Sequence, residues 1–204
     1  MRKRTLLALA AATALMSAGT ALAQDKTKAC FIYVGPIGDF GWSYQHDQGR
    51  LYAEEKLGDK LETAYLESVP EGADSERAIE RFARSGCNII FTTSFGYMDP
   101  TNKVAKDFPD VKFEHATGYK TDHPNVATYD SKFFQGRYVI GQIAAKMSKT
   151  GSAGYIASFP IPEVVQGINS FMLGAQSIDP DFKLKVVWVN TWFDPGKEAD
   201  AAKV

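Results

Sequence analysis

The chain is poor in the residue types that build reactive centres. It has two cysteines, Cys30 and Cys87, and three histidines, His46, His115 and His123. None of these recur at metal-ligand or C-x-x-C spacing, so neither a zinc site nor a thioredoxin-like motif is written in the sequence. A G-x-S-x-G elbow is also missing, which leaves a hydrolase with compositional support only. No apolar run reaches the roughly 20 residues needed to cross a bilayer. Internal repeats are absent, and there is no low-complexity tract after the first two dozen residues.

That opening stretch has its own signature. Arg2, Lys3 and Arg4 precede an apolar centre from Leu6 to Met16, and Ala21-Leu22-Ala23 forms an A-x-A cleavage signal. Residues 1–23 read as a signal peptide cut after Ala23, delivering a protein that is free in the periplasm and not embedded in the membrane. Removing the leader lowers Lys+Arg from 23 to 20 against 24 Asp+Glu, a net charge of 20 − 24 = −4. No basic cluster survives, so nucleic acid is not expected as a partner. In an oxidising compartment a Cys30–Cys87 bridge is open if their strands are neighbours. The plainer reading is two buried thiols, because adjacency alone does not aim side chains together.

Apolar runs alternate with helical stretches across short Gly/Pro/Asp joints, the pattern of βαβ units and a parallel sheet. Strands are expected at 29–34, 61–68, 88–93, 111–116, 126–129, 153–158 and 184–190. A helix over 74–85 takes Asp74 as its N-cap and ends before Gly86, with Ala78, Ile79, Phe82 and Ala83 on one face. Asp99-Pro100 and Asp194-Pro195 each read as a cap followed by proline at the first helical position. After Tyr129 the pattern restarts with a helix over 132–147, and the helix from Val164 repeats Ile168, Phe171, Met172 and Ala175. The layout is an α/β chain with an N-terminal unit over 24–129 and part of a second over 130–204. With only two clear strands in that second part, the sequence is expected to be C-terminally truncated.

The richest segment is Tyr33-Val34-Gly35-Pro36-Ile37-Gly38-Asp39-Phe40-Gly41-Trp42-Ser43-Tyr44-Gln45, where a strand breaks into a glycine-rich loop with one acid and several aromatics. No Lys-Ser or Lys-Thr pair follows the glycines and no complete G-x-G-x-x-G is present, so a phosphate cradle is a poor fit. Trp42 and Tyr44 instead offer flat faces to a ring. Ligands of open α/β sheets lie beyond the carboxyl ends of the strands, where this loop and the one at 93–97 both fall.

These residues, with His46-Asp47-Gln48-Gly49-Arg50, Phe91-Thr92-Thr93-Ser94-Phe95-Gly96-Tyr97, Ala127-Thr128-Tyr129-Asp130, Ile156-Ala157-Ser158-Phe159-Pro160 and Asn190-Thr191-Trp192-Phe193-Asp194-Pro195, resemble the basic membrane protein family of periplasmic substrate-binding proteins, relatives of purine nucleoside receptors. The resemblance covers residues 28–204. It implies a type I periplasmic binding protein: two doubly wound parallel-sheet lobes joined by a hinge, with no catalytic step and no cofactor. It further implies a monomer serving an ABC permease/ATPase complex and holding a purine base or nucleoside between its lobes. On the family pattern the acid is Asp39, the stacking aromatic is Trp42, and Ser43 stands where nucleoside-binding relatives carry Asn, a departure that points toward a free base such as adenine.

Each candidate has a plainer role beside the ligand role. Asp39 could accept from a purine amino group or cap the next helix. Trp42 could stack on a base or pack at a helix start. Ser94 and Phe95 could line the base pocket or cover the core, and Asp130 could reach ligand at the hinge or cap the helix after it. Phe159 and Glu163 flank the equivalent loop of the second lobe, and Trp192 could form an opposing aromatic wall or simply pack. A sugar, riboflavin or an exported nucleoside-processing enzyme are the alternatives, since sugars also stack on aromatics.

Overall fold

The structure, a computed structural model, describes residues 26–204. The expected leader at 1–23 and its cleavage point lie outside the described residues. Five strands form one parallel sheet in the order β2-β1-β3-β4-β5, with β1 at Thr27–Ile32, β2 at Leu61–Leu66, β3 at Ile89–Thr92, β4 at Lys112–Ala116 and β5 at Val126–Tyr129. A second, two-stranded parallel sheet pairs β6 (Ser152–Ala157) with β7 (Lys183–Trp188). All seven strands fall within two residues of their expected ends. The helices are α1 (Trp42–Leu57), α2 (Ala73–Arg84), α3 (Met98–Asp107), α4 (Phe133–Met147), α5 (Pro162–Gln176) and α6 (Pro195–Ala201). No described helix is long and apolar enough to cross a membrane.

Strand β1 is buried on both faces, as a central parallel strand must be. Cys30 and Ile32 face a core with Ile79 and Phe82 of α2, Val104 and Ala105 of α3, and Phe113 of β4. The alternate residues Ala29 and Phe31, with Tyr33, face the other side. Burial along α2 falls on Ser75, Ala78, Ile79, Phe82 and Ala83, the 3.6-residue stripe expected from sequence. Helix α1 differs, because its buried residues are Ser43, Asp47 and Arg50. Arg50 donates through Nε to Asp47 (2.7 Å) and through Nη1 to Glu54 (3.1 Å) and Thr63 (3.0 Å), and its guanidinium lies 4.9 Å from the Tyr65 ring. Pairing and hydrogen bonding are what make such buried charge tolerable.

In the second sheet region, α4 and α5 cross almost backbone to backbone. A Cβ on Gly141 would sit 2.0 Å from the Phe171 carbonyl oxygen, and one on Gly174 would sit 2.0 Å from that of Tyr138. Phe171, Ala175 and Phe182 form the small core beneath this crossing.

Three local expectations need correction. Cys30 and Cys87 are not two thiols: they form a disulfide with a Cα–Cα distance of 6.0 Å. The order β1-β3 brings the two cysteines together, and this spacing is ordinary for a bridge. Asp74 is not the N-cap of α2, which starts a residue earlier after Gly72 (φ 86°), leaving Asp74 in the first turn and paired with Arg77. Asp99 is likewise inside α3 rather than capping it, because a 3₁₀ turn over Phe95–Tyr97 runs straight into the helix. Asp194 does cap α6, accepting from the Lys197 N–H at 3.0 Å with Pro195 following.

Candidate functional site

Strand order decides where a cleft can form. The chain leaves β1 toward β2 on one side and returns to β3 on the other, so the loops after β1 and β3 diverge at a switch point above the carboxyl ends of the strands. The two loops are tied together there. Trp42, at the start of α1, donates its Nε1–H to the Thr93 carbonyl at 2.5 Å, and Thr93 Oγ1 donates to the Ile32 carbonyl at 2.9 Å.

Beside this junction a cavity of about 130 Å³ is lined from the first sheet region by Asp39, Trp42, Ser43, Ser94 and Phe95 and from the second by Glu163 and Trp192. Seven of the ten candidates from sequence therefore meet in one place. Val34, Thr117, Val164 and Phe193 complete the lining and were not among the ten candidates. Thr117 holds a positive φ of 67° at the end of β4, with its N–H donated to Tyr129, a placement that only strand order reveals.

The other three candidates lie elsewhere. Tyr44 packs against Phe40 at 5.6 Å, outside the cavity. Phe159 stands behind the lining, its ring 4.9 Å from that of Trp192. Asp130 lines a larger space of about 380 Å³ with His46, Tyr129 and Phe133, which shares Trp42 and Thr117 with the small cavity. Nor does Asp130 cap α4: among the described residues its Oδ1 accepts only from the adjacent Ser131 N–H at 2.7 Å, and Lys132 occupies the cap position.

Polar groups in the small cavity are already partly committed. The Asp39 carboxylate accepts from the N–H groups of Gly41 (2.8 Å), Ser43 (3.1 Å) and Tyr44 (3.0 Å), so it gathers the unpaired donors at the start of α1. Ser43 is fully buried, and its Oγ accepts from the Gly35 N–H at 3.1 Å. Ser94 is held twice, its carbonyl accepting from His115 Nε2 at 2.7 Å and its hydroxyl donating to Glu71 at 2.5 Å. Burial pushes His115 below its ordinary range, so the ring is neutral, and its Nδ1 has no partner among the described residues.

Glu163 stands apart because its carboxyl makes no hydrogen bond among the described residues. Burial, and then the nearby Asp130 carboxylate, push its pKa up to about 7 against the opposing pull of Arg137. Near neutral pH it is divided between a carboxylate, which only accepts, and an acid that offers one donor and one acceptor. Trp42 stacks obliquely on His46 at 4.7 Å, and burial lowers the His46 pKa despite the Trp42 carbonyl at its Nδ1.

Comparison with known proteins identifies the family. Residues 26–204 match the family described as ABC transporter substrate-binding protein, PnrA-like. A purine-binding protein of Brucella abortus is 67% identical over 197 residues, covering 97% of this chain and 56% of its own length. A provisionally named ABC transporter glucose-binding protein of Haloferax volcanii is 46% identical over 178 residues, covering 87% of this chain and 45% of its own. The chain thus spans about half the length of these curated relatives. Among solved structures, an ABC transporter solute-binding protein from Aeropyrum pernix superimposes with a TM-score of 0.77 at 23% identity, over 86% of this chain and 51% of that one, which shows a shared fold.

Proposed function

The chain belongs to the PnrA-like family of ABC transporter substrate-binding proteins, and on that premise we propose that it captures a purine for an importer in the periplasm. The purine lies in the 130 Å³ cavity, one face on Trp42 and the other toward Trp192. The observation that carries this reading is the convergence of two indoles from distant parts of the chain on one small cavity that also holds Asp39, Ser94 and Glu163. Base–aromatic stacking contributes about 1–3 kcal/mol per base, and the polar groups address the edge of the ring.

Among the described residues the small cavity has room for a free base, since sites for larger ligands run to roughly 300–1,000 Å³. Glu163 in its acid form offers a donor and an acceptor side by side. That pair complements the amino group and adjacent ring nitrogen of adenine. The protein's partners on this reading are a permease and ATPase that accept the loaded, closed form, and it performs no chemistry on its ligand. The division at about residue 130 into two lobes, with Asp130 at the hinge, is part of the same proposal.

The glucose-binding name of the Haloferax relative supports a second reading in which a sugar occupies the same aromatic cleft. Titration calorimetry of the full-length protein with adenine, adenosine, guanosine, glucose and ribose separates the two. Heat with adenine and none with the sugars is expected. Sugar binding without purine binding would overturn the assignment, and release of adenine from adenosine would move the protein to the enzymes.

A further inference from the structure

Glu71 lies in the loop between β2 and α2, outside the cavity lining and in a Pro-Glu-Gly context that reads as a solvated turn. Its Oε1 nevertheless accepts three hydrogen bonds, from Ser94 Oγ at 2.5 Å, the Gly96 N–H at 3.1 Å and Trp192 Nε1 at 3.0 Å. The last is the only hydrogen bond among the described residues that joins a residue up to Tyr129 to one from Asp130 onward. The loop after β3 is shaped around this carboxylate: a Cβ on Gly96 would come within 2.2 Å of Glu71 Cδ. On the far side Trp192 abuts Phe159, so its polar edge is fixed on the five-stranded-sheet part while its ring is braced within its own part.

We infer that Glu71 is a positioning residue that latches the cleft: by accepting the Trp192 N–H it sets the angle of the second aromatic wall and favours the closed arrangement. An ionised acceptor makes this bond stronger than a neutral pair would. If the cleft opens, Glu71 keeps Ser94 and Gly96 as partners and loses only Trp192. Opening therefore leaves the Glu71 carboxylate still hydrogen-bonded. Apparent affinity scales with the fraction of protein in the binding-competent form, so a weaker latch lowers affinity without removing any ligand-contacting group. What the cleft holds rests on the purine reading above; the latch itself rests on the geometry.

The test uses the full-length protein and the variants Glu71→Ala, Glu71→Gln, Trp192→Phe and Glu71→Ala/Trp192→Phe. Phenylalanine keeps a smaller aromatic face and removes the N–H together with the five-membered ring, without touching the Glu71 loop. Adenine affinity should fall about tenfold in Glu71→Ala and in Trp192→Phe, a loss of about 1.4 kcal/mol each. The double variant should be no more than about twofold worse than either single one, the non-additivity of a shared contact. Glu71→Gln, which keeps a carbonyl acceptor, should retain most of the affinity. Independent, multiplying losses, or an unaffected Trp192→Phe, would overturn the latch. If the unsubstituted protein binds no purine, the functional reading fails and the latch is read from the Trp192 indole N–H resonance without ligand. That resonance should move in Glu71→Ala and stay near its original position in Glu71→Gln; an unmoved resonance in Glu71→Ala would overturn it.

Discussion

Breaking the Cys30–Cys87 bridge should remove a large share of the stability of the five-stranded sheet. The bridge joins positions 57 residues apart. For a closed loop of that length the chain-entropy relation gives about 14 cal/mol/K of lost freedom in the unfolded ensemble, or about 4 kcal/mol at 25 °C. Against a typical total of roughly 5–15 kcal/mol, that loss is a quarter or more of the whole. Cys30 pairs in register with Ile90, and a few residues further on these two strands deliver the loops bearing Trp42 and Ser94. The bridge therefore clamps the two strands that carry the switch point. Urea unfolding of the oxidised protein, of the protein with reductant and of Cys30→Ala/Cys87→Ala, followed by circular dichroism, measures the effect. The reduced and doubly substituted forms should agree to within the small packing loss of two sulfurs. A loss below about 1 kcal/mol in both would refute the loop-entropy account.

Glu163 makes stability depend on pH in a stated direction. Its folded pKa of about 7 lies above the ordinary 4.5, so the folded protein binds the extra proton; stability should fall as pH rises from about 4.5 to 7 and then level off, and Glu163→Gln should flatten that stretch of the profile. If the acid form reads adenine, affinity should also weaken above pH 7 in the unsubstituted protein and not in Glu163→Gln. Replacing Trp42 with alanine should weaken adenine binding tenfold or more by calorimetry, and unchanged affinity would remove its stacking role. Gly174→Ala should force α4 and α5 apart and cost about 1–3 kcal/mol in denaturant unfolding, because its Cβ would meet the Tyr138 carbonyl.

Elements that bury apolar side chains with a clear period were legible without a structure. β1 and β3 read as strands because they are apolar on both faces, and α2 as a helix because Ala78, Ile79, Phe82 and Ala83 repeat at helical spacing. Helix α1 carried no such signal, since it buries Ser43, Asp47 and Arg50, and a buried ion pair has the same residue types as a solvated face. The caps at Asp74 and Asp99 were misplaced for a related reason. An acid in a first turn and an acid at a cap differ by only one or two positions, and the preceding backbone, at Gly72 and at the turn over Phe95–Tyr97, decides between them.

The site divides along the same line. The glycine-rich loop with Asp39 and Trp42 announced itself through local composition, as did the loop at 93–97 and the aromatic at 192. Local composition could not say which of them meet. Strand order placed the loops after β1 and β3 side by side, drew the two cysteines into one bridge, left Tyr44, Phe159 and Asp130 outside the small cavity, and brought Glu71 to Trp192 across 121 residues of chain. By itself the sequence determined the elements, their alternation and the chemistry carried by each loop, because backbone preference and side-chain period are local properties. Only the tertiary structure decided the disulfide, the membership of the cavity and the Glu71 contact, because a hydrogen bond or a shared cavity depends on distances through space that no spacing along the chain encodes.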